Sequence, residues 1–151
     1  MRILVVAMCA GAAFLAGCGG PSDVTDEIGI TQVGFPNGTR INAETMRSDI
    51  ELLKGLMFRE SLPAGRGMLF VHPEENIFHY WMYQTKIPLD IIWLDRDRRI
   101  VEMSEDTPPC VSQSARECAN YGGKFKSKYV LEVNAGVAKK NALQVGEILV
   151  F

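Results

Sequence analysis

The 151-residue chain has no excess of positive charge: 16 Lys and Arg stand against 18 Asp and Glu, for a net charge of -2. A nucleic-acid surface draws its affinity from Lys and Arg neutralising phosphates, so no nucleic acid partner is expected. Histidine occurs only twice, as His72 and His79, without the i,i+4 spacing of an H-E-x-x-H zinc site. No G-x-S-x-G elbow, G-x-G-x-x-G loop or P-loop occurs, so neither a serine nucleophile nor a nucleotide cradle is indicated. No cofactor is expected, and there is no internal repeat, heptad or low-complexity segment. What is present is the composition of a folded chain, 47% hydrophobic and 23% charged.

The apolar residues are concentrated at the start. Arg2 is the single charge among residues 1–17, and Ile3 to Phe14 form a stretch of the length of a secretory h-region, short for a membrane-spanning helix. Leu15-Ala16-Gly17-Cys18 follows and resembles the bacterial lipobox, in which the signal is cut before a diacylglycerol-modified cysteine that is then N-acylated. Several acyl chains on one residue anchor firmly, at about 0.8 kcal/mol per buried methylene. Residues 1–17 thus read as a lipoprotein signal peptide. Residues 18–28 read as a lipidated N-terminus with a flexible Gly-Gly-Pro-Ser tether, and 29–151 as one domain. Gly19 is not the Asp that retains many lipoproteins in the inner membrane, which in a Gram-negative host implies the outer membrane, facing the periplasm.

Cysteine usage agrees with export. Cys9 leaves with the signal and Cys18 takes the lipid, leaving Cys110 and Cys118 as a pair expected to be bridged in an oxidising compartment. On the chain-entropy argument a loop of this size stabilises by about 2–3 kcal/mol. A structural zinc site would need more thiolates or imidazoles nearby, so no metal is expected.

Along the mature chain, Gly29 to Phe35 and Arg40 to Met46 flank an Asn37-Gly38 turn and read as a hairpin. Ser48 and Glu51 have capping-box spacing, and Ile50, Leu53, Leu56 and Met57 repeat as one helical stripe, with Leu52 beside it and Gly55 inside the helix. Met68 to His72 is predicted as a strand stopped by Pro73, and Ile77 to Met82 as another. Leu89 to Leu94 is a nearly unbroken apolar run, paired through a charged turn with Arg99 to Met103. A long disulfide loop spans about 105–125. Tyr129 to Val133, a short helix at 136–143 and a last strand at 148–151 complete the pattern. The fold class is mainly β (α+β): a compact, barrel-like antiparallel domain with two short helices.

Several of these stretches also form longer motifs. Gly55-Leu56-Met57-Phe58-Arg59-Glu60-Ser61-Leu62-Pro63 precedes Gly67-Met68-Leu69-Phe70. Trp81-Met82, Thr85 and Ile87-Pro88-Leu89-Asp90-Ile91-Ile92 follow, and then Tyr129-Val130-Leu131-Glu132-Val133-Asn134-Ala135-Gly136. Their order resembles the domain-of-unknown-function 192 family over residues 29–151. The resemblance implies a small β-rich, barrel-like domain, commonly exported or lipid-anchored, and carries no established activity. Two positions depart from the family pattern: Gln84, where Asn is usual, and His72, where the usual residue is apolar or aromatic.

The residues offer three kinds of chemistry. Asp90 lies in a run that reads as buried on both faces and needs hydrogen-bond or cationic partners. Glu132 and Asn134 share one strand face and are expected to approach it, either as a structural polar cluster or as a carboxylate pair for acid–base work. Trp81 and Tyr80 beside Arg59 or Lys86, with Met82 and Thr85, offer a groove for a small molecule, glycan or protein segment. Met57, Met68, Met82 and Met103 with His72 and His79 are of the type that bind Cu(I), yet no M-x-x-M or H-x-M spacing supports a site, and such methionines more often fill cores.

These readings converge on a lipid-anchored, periplasm-facing binding or interaction module, with membrane contact through its anchor. The alternative is a small hydrolase or lyase using Asp90 and Glu132. A deep polar cleft holding both carboxylates favours the enzyme; an aromatic groove with Asp90 tied to backbone amides favours the binder.

Overall fold

The computed structural model describes residues 29–151. The expected signal peptide, lipidated Cys18 and tether all lie outside the described residues. Strands β1 (Gly29–Gly34) and β2 (Arg40–Met46) form the expected hairpin, with Gly38 at φ 86° in the turn, a conformation glycine adopts without steric cost. Helix α1 (Asp49–Lys54) follows, then β3 (Arg66–Trp81), β4 (Leu89–Leu94), β5 (Ile100–Thr107), β6 (Asn120–Asn134) and helix α2 (Val137–Lys140). The domain is mainly β, with two short helices, as expected. All strands join one sheet in the order β1-β2-β3-β6-β4-β5.

The sheet does not close into a barrel. Its two ends are instead linked by the C-terminal segment: Val150 bridges Gly34 of β1, and Ile148 bridges Arg99, the residue before β5. The ladder is also not antiparallel throughout, because β2 and β3 pair in parallel. A parallel pair needs a crossover, and residues 47–65, including α1, supply one.

Pro73 does not end its strand. Strand β3 runs through it, and the pairing with β6 slips between Val71 and Asn76, placing the proline in an irregular stretch where no ladder bond is required of it. Helix α1 has its capping box, with Ser48 Oγ and the Glu51 carboxylate each accepting backbone N–H groups. Gly55 caps the helix rather than lying inside it, at φ 45°. The chain turns there, so the 3.6-residue stripe is broken: Leu56 is buried, while Ile50 and Leu53 are 79% and 65% exposed.

Every residue of β4 is buried. Alternation along β4 and β6 separates two apolar clusters, one on each face of the sheet. Ile92, Leu94, Leu131 and Val133 face one side and pack with Leu69, Ala138, Leu143 and Leu149 under α2 and the C-terminal segment. Leu89, Ile91, Trp93 and Val130 face the other and pack with Met68, Phe70, Met82 and Leu56. The loop before β6 is closed by a disulfide between Cys110 and Cys118, as expected from cysteine usage.

Candidate functional site

Register decides what the carboxylates can do together. Asp90 pairs with Val133, and Glu132 pairs with Ile91. The two residues are one rung apart on neighbouring strands, so their side chains lie on opposite faces of the sheet. They do not form a carboxylate pair, and the expected approach of Glu132 and Asn134 to Asp90 is corrected accordingly.

Asp90 is fully buried and fully used. Its Oδ1 accepts the backbone N–H of Asp106 at 2.9 Å, and its Oδ2 accepts that of Ala138 at 2.8 Å. Helix α2 begins after Gly136, which has no side chain to cap the exposed amides of the first turn. Asp90 caps that turn from across the sheet, where a negative charge also suits the helix dipole. Asn134 is likewise structural: its Nδ2 donates to the Leu62 carbonyl at 2.8 Å and pins the loop before β3.

Glu132 is different. It is 5% exposed, and its Oε2 is buried without a hydrogen-bond partner. No ion pair reaches it among the described residues. Burial pushes its carboxyl up to about 8, so at neutral pH the acid is mostly protonated. It lies on the wall of a cavity of about 280 Å³ between α1 and the outer half of β3. Phe70, Tyr80, Trp81 and Thr85 share that lining. A Cβ at Gly55 would stand 3.0 Å from the Phe70 ring and 3.9 Å from Glu132 Oε2. Glycine there both takes the positive φ and leaves open the approach to the acid.

The aromatic side of the cavity is held by a hydrogen-bonded stack. His72 Nε2 lies 3.0 Å from Tyr80 Oη, and the His72 ring stacks on Phe78 with centroids 3.5 Å apart. Burial first, and the charge of Lys128 second, push His72 down to about 4, so the ring is neutral. Burial, helped by the Glu132 charge, raises the Tyr80 phenol, so it too stays neutral. Tyr80 also meets Phe70 edge-on at 5.2 Å. The site therefore presents a neutral acid, a neutral imidazole and a phenol among apolar rings.

Sequence reading singled out Trp81, Thr85 and Glu132, and all three line this cavity. Met82 does not; it is buried core. Arg59 and Lys86, expected beside Trp81 and Tyr80, are not in the lining of this cavity. Arg59 grips Glu44 through two hydrogen bonds, at 2.8 and 2.5 Å, and borders a separate hollow on the other side of α1. Lys86 pairs with Glu60. Nor do the methionines gather: Met103 packs with the cluster under α2, whereas Met68 and Met82 belong to the opposite one.

Phe70 and the joint role of His72, Phe78 and Tyr80 escaped sequence reading. All four have the same parity in β3, a signal concealed by ending the strand at Pro73. The departure at Gln84 has a local meaning. Its φ is 56°, a left-handed conformation that Asn takes at less cost, and its carbonyl accepts the Phe58 N–H at 2.8 Å.

Solved structures with this architecture exist. A candidate transcription regulator from Sinorhizobium meliloti is 27% identical, with a TM-score of 0.69 over 79% of this chain and 89% of its own. A protein of unknown function from Novosphingobium aromaticivorans is 26% identical, with a TM-score of 0.70 over 94% of this chain and 100% of its own. No curated protein matches. The profile of the domain-of-unknown-function 192 family, described as an uncharacterized ACR, matches residues 32–151, and the chain belongs to that family.

Proposed function

We propose that this protein is a lipid-anchored, periplasm-facing binding module whose ligand site is the cavity beneath α1. The observation that carries the reading is Glu132, a buried carboxyl with a free oxygen on the wall of an open, largely apolar cavity. A buried polar atom without a partner costs about 1–3 kcal/mol, and a bound ligand that hydrogen-bonds to it removes that cost. The walls suit a small molecule with an apolar body and a single polar end. Asp90, held by two backbone amides, fits the binder rather than the hydrolase or lyase. The anchor rests on the lipobox-like Leu15-Ala16-Gly17-Cys18.

Two experiments test the reading. The acylated protein is titrated with a library of small amphipathic molecules while tryptophan emission is followed. Trp81 lines the cavity and Trp93 is buried core, so Trp81→Phe must remove the signal and leave affinity within about threefold. A library that yields no saturable binder defeats the site. Separately, Cys18→Ser must release the protein from membranes or stall its processing; unchanged fractionation and mature mass defeat the anchor.

A further inference from the structure

The cavity on which the binding reading rests also carries information about the ligand. Two kinds of partner for a cation meet in it. One is Glu132, whose free Oε2 has no donor within reach. The other is a set of aromatic rings in the same lining, Phe70, Phe78, Tyr80 and Trp81, whose π faces attract positive charge. A neutral hydroxyl or amide would satisfy the oxygen but gain nothing from the rings. A carboxylate ligand could accept a hydrogen bond from the protonated acid, but its charge would be repelled by the electron-rich faces of the rings.

We infer that the cavity binds an organic ammonium: a primary or secondary amine on a small apolar body, its N–H groups donated to Glu132 and its charge lying among the aromatic rings. This rests on the cavity being a ligand site and specifies what enters it.

The proposal has a proton balance. At pH 7 the amine arrives protonated, since alkyl ammonium groups lose their proton only near pH 10. Glu132, pushed up to about 8 by burial, is mostly protonated in the free protein. Ion pairing requires the carboxylate, so each binding event releases close to one proton from Glu132 to solvent. Affinity then rises about tenfold per pH unit between 6 and 7 and levels off near 8. The other titratable groups around the cavity are Tyr80, His72 and His79 on β3 and Lys54 on α1, while β4 presents only Leu89, Ile91 and Trp93 to that face. His72 is already neutral throughout this range.

The test compares three probes of nearly equal size, hexylamine, 1-hexanol and hexanoate, on the full chain in detergent by calorimetry. Each is run at pH 6, 7 and 8, in buffers of different ionisation enthalpy. The expected result is that hexylamine binds at least tenfold more tightly than hexanol at pH 8, releases close to one proton at pH 7, and shows the stated pH slope. Glu132→Gln is expected to erase the preference and the slope, and Lys139→Gln, on α2 at the other face of the sheet, to keep both. If hexanol or hexanoate binds as well as hexylamine, or if hexylamine affinity is flat with pH, the ammonium assignment is wrong while the cavity remains a ligand site. If no probe binds, the cavity reading falls with it. The wild-type pH slope decides the matter even if Glu132→Gln does not fold.

Discussion

The two faces of the central strands treat a carboxyl in opposite ways. Under α2, Asp90 meets two backbone N–H groups, at 2.8 and 2.9 Å, and helix α2 and the end of β5 are fastened to it. Under α1, one rung away, Glu132 has an oxygen with no partner and an open cavity in front of it. The covering elements explain the contrast. Helix α2 and the C-terminal segment bury Ala138, Leu143 and Leu149 against the first face. Helix α1 buries no residue of its own, ending at Gly55 with Ile50 and Leu53 turned to solvent. One face is closed and its acid is structural. The other is loosely covered and its acid is available.

The largest effect is expected on the closed face. Asp90→Ala leaves the Ala138 and Asp106 amides without an acceptor, at about 1–3 kcal/mol for each buried donor, so a total near 3 kcal/mol is expected by denaturant unfolding. Asp90→Asn keeps one acceptor but turns an NH₂ toward the other amide, and should cost about half as much. If Asp90→Ala unfolds at the wild-type midpoint, the two faces do not differ as argued.

Reduction of Cys110–Cys118 tests the cavity side. Cys110 packs against the cluster under α1, and its N–H donates to the Met82 carbonyl at 3.2 Å. The chain-entropy relation gives about 2–3 kcal/mol for a loop of this size. Comparing unfolding with and without reductant, beside a Cys110→Ser/Cys118→Ser variant, measures it; no difference would show that the loop is ordered by its contacts alone.

Next in size is a pH effect. Glu132 binds its proton more tightly in the folded state, with an ordinary value of 4.5 raised to about 8, so stability falls as pH rises through that interval. His72 is shifted the other way, from 6.5 to about 4, so it adds stability as pH rises from about 4 to 6.5. The two slopes oppose each other up to pH 6.5, and only Glu132 acts beyond it. Stability should therefore be nearly level from pH 5 to 6.5 and then fall by about 2 kcal/mol by pH 8, at 1.4 kcal/mol per unit. Glu132→Gln should abolish the fall. A wild-type protein that keeps its stability from pH 6.5 to 8 would show that Glu132 is solvated or paired in solution.

How much of this contrast was legible beforehand follows from the range of the signals involved. The need of Asp90 for partners is local, since a carboxyl in Leu89–Leu94 has apolar neighbours on both faces. The shared face of Glu132 and Asn134 is local too, through the two-residue period. Which rung of β4 meets which rung of β6 is not local, and the one-residue offset that parts Asp90 from Glu132 comes from the pairing of distant strands. The same holds for the parallel β2–β3 pair, which depends on the 47–65 crossover. At Pro73 a local rule misled, because an irregular stretch of β3 excuses the missing N–H and carries the strand on to Tyr80 and Trp81. At Gly55 the helical stripe misled, because a cap one residue after Lys54 turns Leu56 inward and leaves Leu53 outside.

The smallest effect refines the comparison without touching either acid. Gln84 sits at φ 56°, and its carbonyl holds the Phe58 N–H, tying the segment after α1 to the loop that carries Thr85 into the cavity lining. A left-handed residue with a Cβ is strained, and asparagine relieves part of that strain because its short side chain tolerates this region. Gln84→Asn should raise stability by about 0.5 kcal/mol, and Gln84→Gly by less, since glycine also gains freedom in the unfolded chain. The gain should be local. Amide exchange should slow at Phe58 and Thr85 while the Ala138 amide, bound to Asp90 on the other face, keeps its rate. Equal slowing on both faces would mean that the α1 side opens only with the whole domain. Slowing confined to the cavity side would show that this face opens on its own, as access to Glu132 requires.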